Sequence, residues 1–386
     1  MVDITINSFF IKNEGCVIVV DEITKRVSLV ELFYDLVFVY MVSRATEMIH
    51  HLHHGIVGLP VLGIFAIVVI VFINSWMVQM VFTNRYGKLS GTNVIFSFVD
   101  MAILLYMSNS FSATFDWHLA TFFMAAGLLS LTLCIQYVLV YFQSEKKIDK
   151  HITRAFAGML IFRTVTLFIG GIFYQSRVGV GIAFAGIIIS WIAPGFTGKY
   201  TKHHPIIFSH LLERLTALII VMFGETIVGI ADYFTAANFS IQSILIFTTV
   251  AALFFTYIVE FDHLINEHQR HETGNLMIYL HYFILFGLSL ITVAMKFIDD
   301  AAAHPRFAVT CMYLGFALFY IGLAIANYYN KVKVNKTVVS IFIISTIAGL
   351  GISWFYSSFT PVVIIMTAVT LINAVTLTRF RIKYVD

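Results

Sequence analysis

Long apolar runs, separated by short polar segments, recur from residue 28 almost to the C-terminus. A bilayer core takes about 20 apolar residues per helix. On that measure the chain predicts about 12 spans, near 28–49, 57–82, 93–112, 118–142, 153–175, 178–196, 207–231, 241–261, 275–298, 307–329, 337–356 and 361–379. Residues 1–27 differ: Asp3, Lys12, Glu14, Asp21, Glu22 and Lys25 are mixed with short apolar runs. They read as an N-terminal arm, without the basic start and small-residue cleavage site of a signal peptide. The pattern predicts an all-α fold, a polytopic transmembrane helix bundle with no soluble domain between its spans.

Composition agrees. The 386 residues are 59% hydrophobic and 12% charged, where a soluble domain carries about 25% charged residues, and mean hydropathy is +0.89. The net charge of +3 comes without a basic block, so no nucleic acid partner is expected. What charge there is gives a direction. With the N-terminus inside, Lys88, Lys146, Lys147, Lys331, Lys333 and Arg381 all fall on inside segments, and only Arg177, Lys296 and Arg306 fall outside. Lys/Arg bias of this kind places both ends in the cytoplasm and favours an even number of spans.

The chain also reads as two parallel six-helix repeats, residues 28–196 and 207–380. Glu31 and Glu213 open comparable spans and are separated by the same stretch as Asn93 and Asn275; Trp76 and Tyr257 differ by one position less. Duplicated halves are a known transporter plan.

Ionisable residues in hydrocarbon cost roughly 2.5–3.5 kcal/mol each on insertion scales, so those that persist have a partner or a task. Eight stand out as binding or proton-carrying candidates: Glu31, Asp35, Asp100, Arg163, Glu213, Arg214, Glu225 and His281. Glu31 and Asp35 share a helix face by their i, i+4 spacing. They would repel, leaving one protonated. Near a helix start, Glu31 and Glu213 also complement the helix dipole. Asp100 and His281 enter their spans to similar depth. With Glu260 and Asp262 they predict one polar cavity lined by acids and an imidazole. Arg214 and Glu225 lie 11 residues along one helix, about 16 Å apart at 1.5 Å per residue, too far to pair. Arg163 has no acid near it in sequence, which makes Glu225 or Asp35 its expected partner. Arg44 and Glu47 are spaced to pair with each other.

Other chemistry is faint. His50, His51, His53 and His54 cluster in one loop, and Asp262, His263, Glu267, His268, His271 and Glu272 in another. Both read as solvated loops more readily than as metal sites. Cys16, Cys134 and Cys311 form no disulfide framework. No P-loop, nucleophile elbow, Rossmann glycines or HExxH is present. No cofactor, metal or catalytic residue is assigned. Gly170-Gly171, Gly179-Val180-Gly181 and Gly349-Leu350-Gly351 mark close helix packing or helix breaks.

Several of these residues fall in recognisable strings: Glu31-Leu32-Phe33-Tyr34-Asp35-Leu36-Val37-Phe38, Asn84-Arg85, His210-Leu211-Leu212-Glu213-Arg214, Gly224-Glu225-Thr226-Ile227 and Tyr279-Leu280-His281. In them the chain resembles the bacterial low temperature requirement protein A family over roughly residues 25–325. Leu212 stands where that family often has Pro, and Asp100 near where it often has Gln. The resemblance implies an integral protein of the bacterial cell membrane that supports growth in the cold. It supplies neither substrate nor catalytic residue. The spans, the repeat and the buried acids together point to a secondary, proton-coupled transporter of a small molecule or ion, with the lipid bilayer as its surroundings and a homo-oligomer compatible with the pattern. A membrane-embedded lipid-modifying enzyme and a non-catalytic sensor or assembly partner are the alternatives.

Overall fold

The computed structural model describes the chain apart from residues 1–3, 14, 15, 51, 53, 89, 111–117, 270, 271, 357 and 386. The arm forms an antiparallel hairpin, β1 (Ile4–Asn13) and β2 (Cys16–Lys25), which pairs Ile4 with Lys25 and Asn13 with Cys16. The named elements after it are all helical.

The first half contains α1 (Leu29–Glu47), α2 (Leu59–Tyr86), α3 (Gly91–Ser108), α4 (Leu119–Gln143), α5 (Lys147–Ile172) and α6 (Arg177–Ile192). After a 3-10 turn, Ala193–Thr197, and a short turn of helix, Gly198–Thr201, come α7 (Phe208–Ile230), α8 (Ile241–Ile258), α9 (Asn275–Phe297), α10 (Pro305–Ala326), α11 (Lys336–Ser353) and α12 (Phe359–Tyr384). Among the described residues, eleven helices are long and apolar enough to cross a membrane. The helix outside that set is α1, which carries Glu31, Asp35, Arg44 and Glu47.

Local sequence accounts for several boundaries. The α1 helix starts at a capping box: Glu31 N donates to Ser28 Oγ while Ser28 N donates back to Glu31 Oε2, which satisfies two otherwise orphaned donors. Pro60 and Pro305 sit in the first turns of α2 and α10, where no intrahelical N–H is lost. The α8 helix widens at its end into a π turn, Val259–Leu264, that carries Glu260 inward.

Close packing explains the glycine pairs. A Cβ on Gly287 would lie 2.7 Å from Gly315 O and 2.8 Å from Phe319 N, so α9 and α10 touch backbone to backbone. Gly170 faces Ala183 of α6, and Gly349 faces Val369 and Tyr313. The helices run unbroken through these positions, so the glycines serve packing.

Successive helices alternate in direction. Lys25, just before α1, hydrogen-bonds Gly87 O just after α2, and Asn84 near the end of α2 reaches Ile207 at the start of α7. At the opposite end His304 N, before α10, donates to Gly55 O ahead of α2. The α1 and α7 helices lie side by side and parallel: Glu31 meets Arg214 near their starts and Ser43 meets Glu225 near their ends.

Candidate functional site

Arg214 is the centre of the most elaborate polar cluster. It projects from α7 and is 2% exposed, and Asp35 is 0% exposed, so neither is solvated by bulk water. Its Nε donates to Asp35 Oδ2 at 3.1 Å and its Nη2 to Asp35 Oδ1 at 2.5 Å. This is the bidentate geometry that makes guanidinium–carboxylate pairs strong. Its Nη1 donates to Glu31 Oε1 at 3.0 Å. Trp76 of α2 closes the site: its Nε1–H donates to Asp35 Oδ1 at 2.7 Å, and its ring lies 5.3 Å from the guanidinium carbon. One arginine bridges the two carboxylates that the sequence placed on one helix face.

Glu31 divides its labour. Oε2 serves the Ser28 cap, and Oε1 faces Arg214 and, at 3.5 Å, His210 Nε2. Asn84 sets the imidazole. Its Oδ1 accepts from Ile207 N and its Nδ2 donates to Ile207 O, both at 2.9 Å, which fixes the amide orientation. The same Nδ2 lies 3.1 Å from His210 Nδ1, so Nδ1 is the acceptor and the neutral ring's proton sits on Nε2, towards Glu31. One arginine against two carboxylates leaves a negative balance. Lys25 lies at the mouth, donating to the carbonyls of Thr83 and Gly87. Burial pushes its ammonium below the usual range; Glu31 pulls it up and Arg214 pushes it down again.

Arg163, buried on α5, is different. Its Nη1 donates to Asn74 Oδ1 at 2.5 Å and its Nη2 to Ser75 Oγ at 2.9 Å, while its Nε has no partner. It meets neither Glu225 nor Asp35. Asp35 is occupied by Arg214, and α5 faces the neutral polar side of α2. Asp100 of α3 accepts from Thr132 Oγ1 at 2.5 Å. Asp100 and Arg163 line one cavity of about 10 Å³, with Tyr34, Ser75, Gln79 and Ser130. They form no ion pair, and the space suits about one water.

The remaining candidates are dispersed. Glu225 is half-buried and accepts from Ser43 Oγ of α1 at 2.8 Å. Their separation of 182 positions equals that of Glu31 and Glu213. Glu213 is exposed on the other face of α7 from Arg214. His281 is buried and ties α9 to α8: its Nδ1 donates to Met277 O at 2.7 Å and its Nε2 lies 3.2 Å from Tyr257 Oη. Glu260 accepts from Asn330 Nδ2 at 2.7 Å. Among the described residues the four groups expected to line one acid-and-imidazole cavity have separate partners: Asp100 bonds Thr132, His281 lies against Tyr257, Glu260 bonds Asn330, and Asp262 is exposed. Arg44 and Glu47 do pair. His51, His53 and His271 lie outside the described residues. Among the described residues no group of three or more His, Cys, Asp or Glu could hold a metal.

Sequence reasoning gave no role to Asn74, Ser75, Trp76, Asn84, Ser43 or Thr132. The signal was there in part. An Asn or a Trp N–H in an apolar span needs a partner, and Asn74, Trp76 and Asn84 all lie on α2.

A bundle of this length, with a guanidinium held by two carboxylates between parallel helices, defines a polytopic helical membrane protein with a buried charge cluster. The chain belongs to the bacterial low temperature requirement A protein (LtrA) family, whose model matches residues 26–375. The match spans α1 to the greater part of α12, and so includes the Arg214 cluster, Asp100, Arg163, Glu225 and His281. No curated protein and no solved structure matches the chain.

Proposed function

We propose that this chain is a secondary, proton-coupled transporter of the bacterial cell membrane, serving growth in the cold, with both termini cytoplasmic. The observation that carries the reading is the cavity that Asp100 and Arg163 both line without pairing. A buried carboxylate with only a hydroxyl donor is free to exchange a proton. A buried guanidinium without an acid is free to meet a negative charge. Proton occupancy of Asp100 then alters the field felt at Arg163, which is the elementary requirement for coupling two cargoes.

Glu225 is the second proton carrier on this reading, since it has a hydroxyl donor and no ion pair among the described residues. The Arg214 cluster acts as the joint between two six-helix halves, 28–196 and 207–380. The parallel course of α1 and α7, and the bond between Ser43 and Glu225 at the repeat spacing, support that division. His281 links helices within the second half, and Glu213 stands apart on the outer face of α7.

The test is proton flux in proteoliposomes containing an internal pH dye. Wild type should dissipate an imposed pH gradient faster than protein-free vesicles, and Asp100→Asn and Glu225→Gln should each lose most of that excess while remaining folded. Unchanged flux in both variants, or none in wild type under either gradient polarity, would overturn the reading.

A further inference from the structure

A second polar cavity, of about 40 Å³, lies where α2, α5, α6 and α9 meet. We infer that it is a binding site for a small planar carboxylate.

Its walls are one-sided in chemistry. Residues 74, 77, 78, 81 and 85 of α2 contribute one helical face, and residues 275, 278, 279 and 282 of α9 contribute another. The only charged lining residue is Arg85, and no carboxylate lines the space. Arg85 makes no hydrogen bond or ion pair among the described residues, and its Nε is buried without a partner. Trp191 Nε1, on α6, is buried without a well-aligned partner. Asn74 gives its Oδ1 to Arg163, and its amide N–H and the indole N–H both approach the Tyr282 hydroxyl, which lines the same cavity. Tyr279 has already committed its hydroxyl to the Trp191 backbone carbonyl, at 2.9 Å, and its ring packs edge-on against the indole.

Orphaned donors in a protein interior are uncommon and destabilising, more so when charged. Here Arg85 Nε and Trp191 Nε1 border one space whose acceptors are all neutral, the Tyr282, Thr197 and Thr201 hydroxyls and the Asn275 amide. What that arrangement lacks is a negative charge to meet the guanidinium. A guanidinium favours planar oxyanions, which it meets with two parallel N–H bonds.

Size narrows the class. At about 10–15 Å³ of such volume per water, the cavity takes about three or four heavy atoms. Met77, Val78, Val81 and Phe156 give the cavity an apolar surface beside Arg85, which suits a methyl or methylene better than a second charge. A short-chain carboxylate of the size of acetate satisfies both walls. A tetrahedral dianion leaves charge against hydrocarbon. The inference goes beyond the transport reading, because binding is measured without flux and stands or falls separately.

The experiment is isothermal titration of detergent-purified full-length protein with sodium acetate at constant ionic strength, with sodium sulfate and sodium benzoate as comparison anions. Wild type should bind acetate saturably and more tightly than either. Arg85→Gln should weaken acetate at least about tenfold, the equivalent of one charge-assisted bond. Trp191→Phe keeps the ring and removes the N–H. It should weaken acetate about threefold to tenfold and keep the discrimination against sulfate, which tests the site even if Arg85→Gln fails to fold. No saturable acetate binding by folded wild type, sulfate or benzoate preferred over acetate, or unchanged affinity in folded Trp191→Phe would each overturn the proposal.

Discussion

Two arginines are buried to the same degree in this bundle, and they are treated in opposite ways. Arg214 and Arg163 are each 2% exposed. Arg214 is held by two carboxylates and capped by an indole, with its Nε and both terminal nitrogens satisfied. Arg163 has one amide oxygen, one hydroxyl and an idle Nε. Burial depth alone therefore says little about role. A guanidinium closed on all sides fastens helices together. On the transport proposal, one left open keeps a charge in reserve, beside an acid it does not pair with.

The contrast breaks most sharply at Asp35. In Asp35→Ala, Arg214 keeps only Glu31 and loses both bonds of its bidentate pair. Breaking such a pair from one side costs about 3–5 kcal/mol, so thermal unfolding in detergent should shift strongly downward. The double variant Asp35→Leu/Arg214→Met should recover most of the loss, since the stranded charge leaves with its partner. A double variant as unstable as the single one would mean that the cluster works through something other than charge compensation.

Asn84→Leu should come next, at about 1–3 kcal/mol, because it leaves Ile207 N unpaired, removes one of the two donors to Ile207 O and frees His210. Faster amide exchange at the start of α7 is the accompanying sign. Arg163→Met should cost less, about 1 kcal/mol, because no acid is stranded when it goes. If it proved as damaging as Asp35→Ala, the view of Arg163 as an open charge would fail.

The smallest expected effect is a pH dependence at Lys25. Its folded-state pKa lies below the ordinary 10.5, so between the two values the unfolded chain holds more protons. Stability then rises as pH climbs through that window and levels off above 10.5. Melting curves of wild type and Lys25→Met from neutral to alkaline pH should show the rise in the first and not in the second.

Much of this was legible in the sequence, and for a definite reason. Span positions follow from the length of apolar runs: 207–231 and 275–298 were expected where Phe208–Ile230 and Asn275–Phe297 stand. Where hydropathy misled, polar turns extend a helix beyond its apolar run. The fifth span begins at Lys147 and not at residue 153, and the last runs on to Tyr384 through Arg379-Phe380-Arg381. The candidate site was legible as a list but not as a set of partners. Spacing along one helix showed that Arg214 and Glu225 do not pair. It carried no information on how α1, α2 and α7 are rotated against each other, and that rotation gives Asp35 to Arg214 and leaves Arg163 to Asn74.

The backbone contact between α9 and α10 has a mechanical consequence. Interfaces built from side chains can slide in small steps, because rotamers re-sort as the helices shift. At Gly287 and Gly315 there are no rotamers to re-sort, and displacement along the axis would drive carbonyl oxygens into the facing chain. The two helices are thus welded into a single rod. The rocking that the proposed transport requires would leave that rod intact and fall at seams such as α1 against α7, which a hydroxyl and ion pairs hold together.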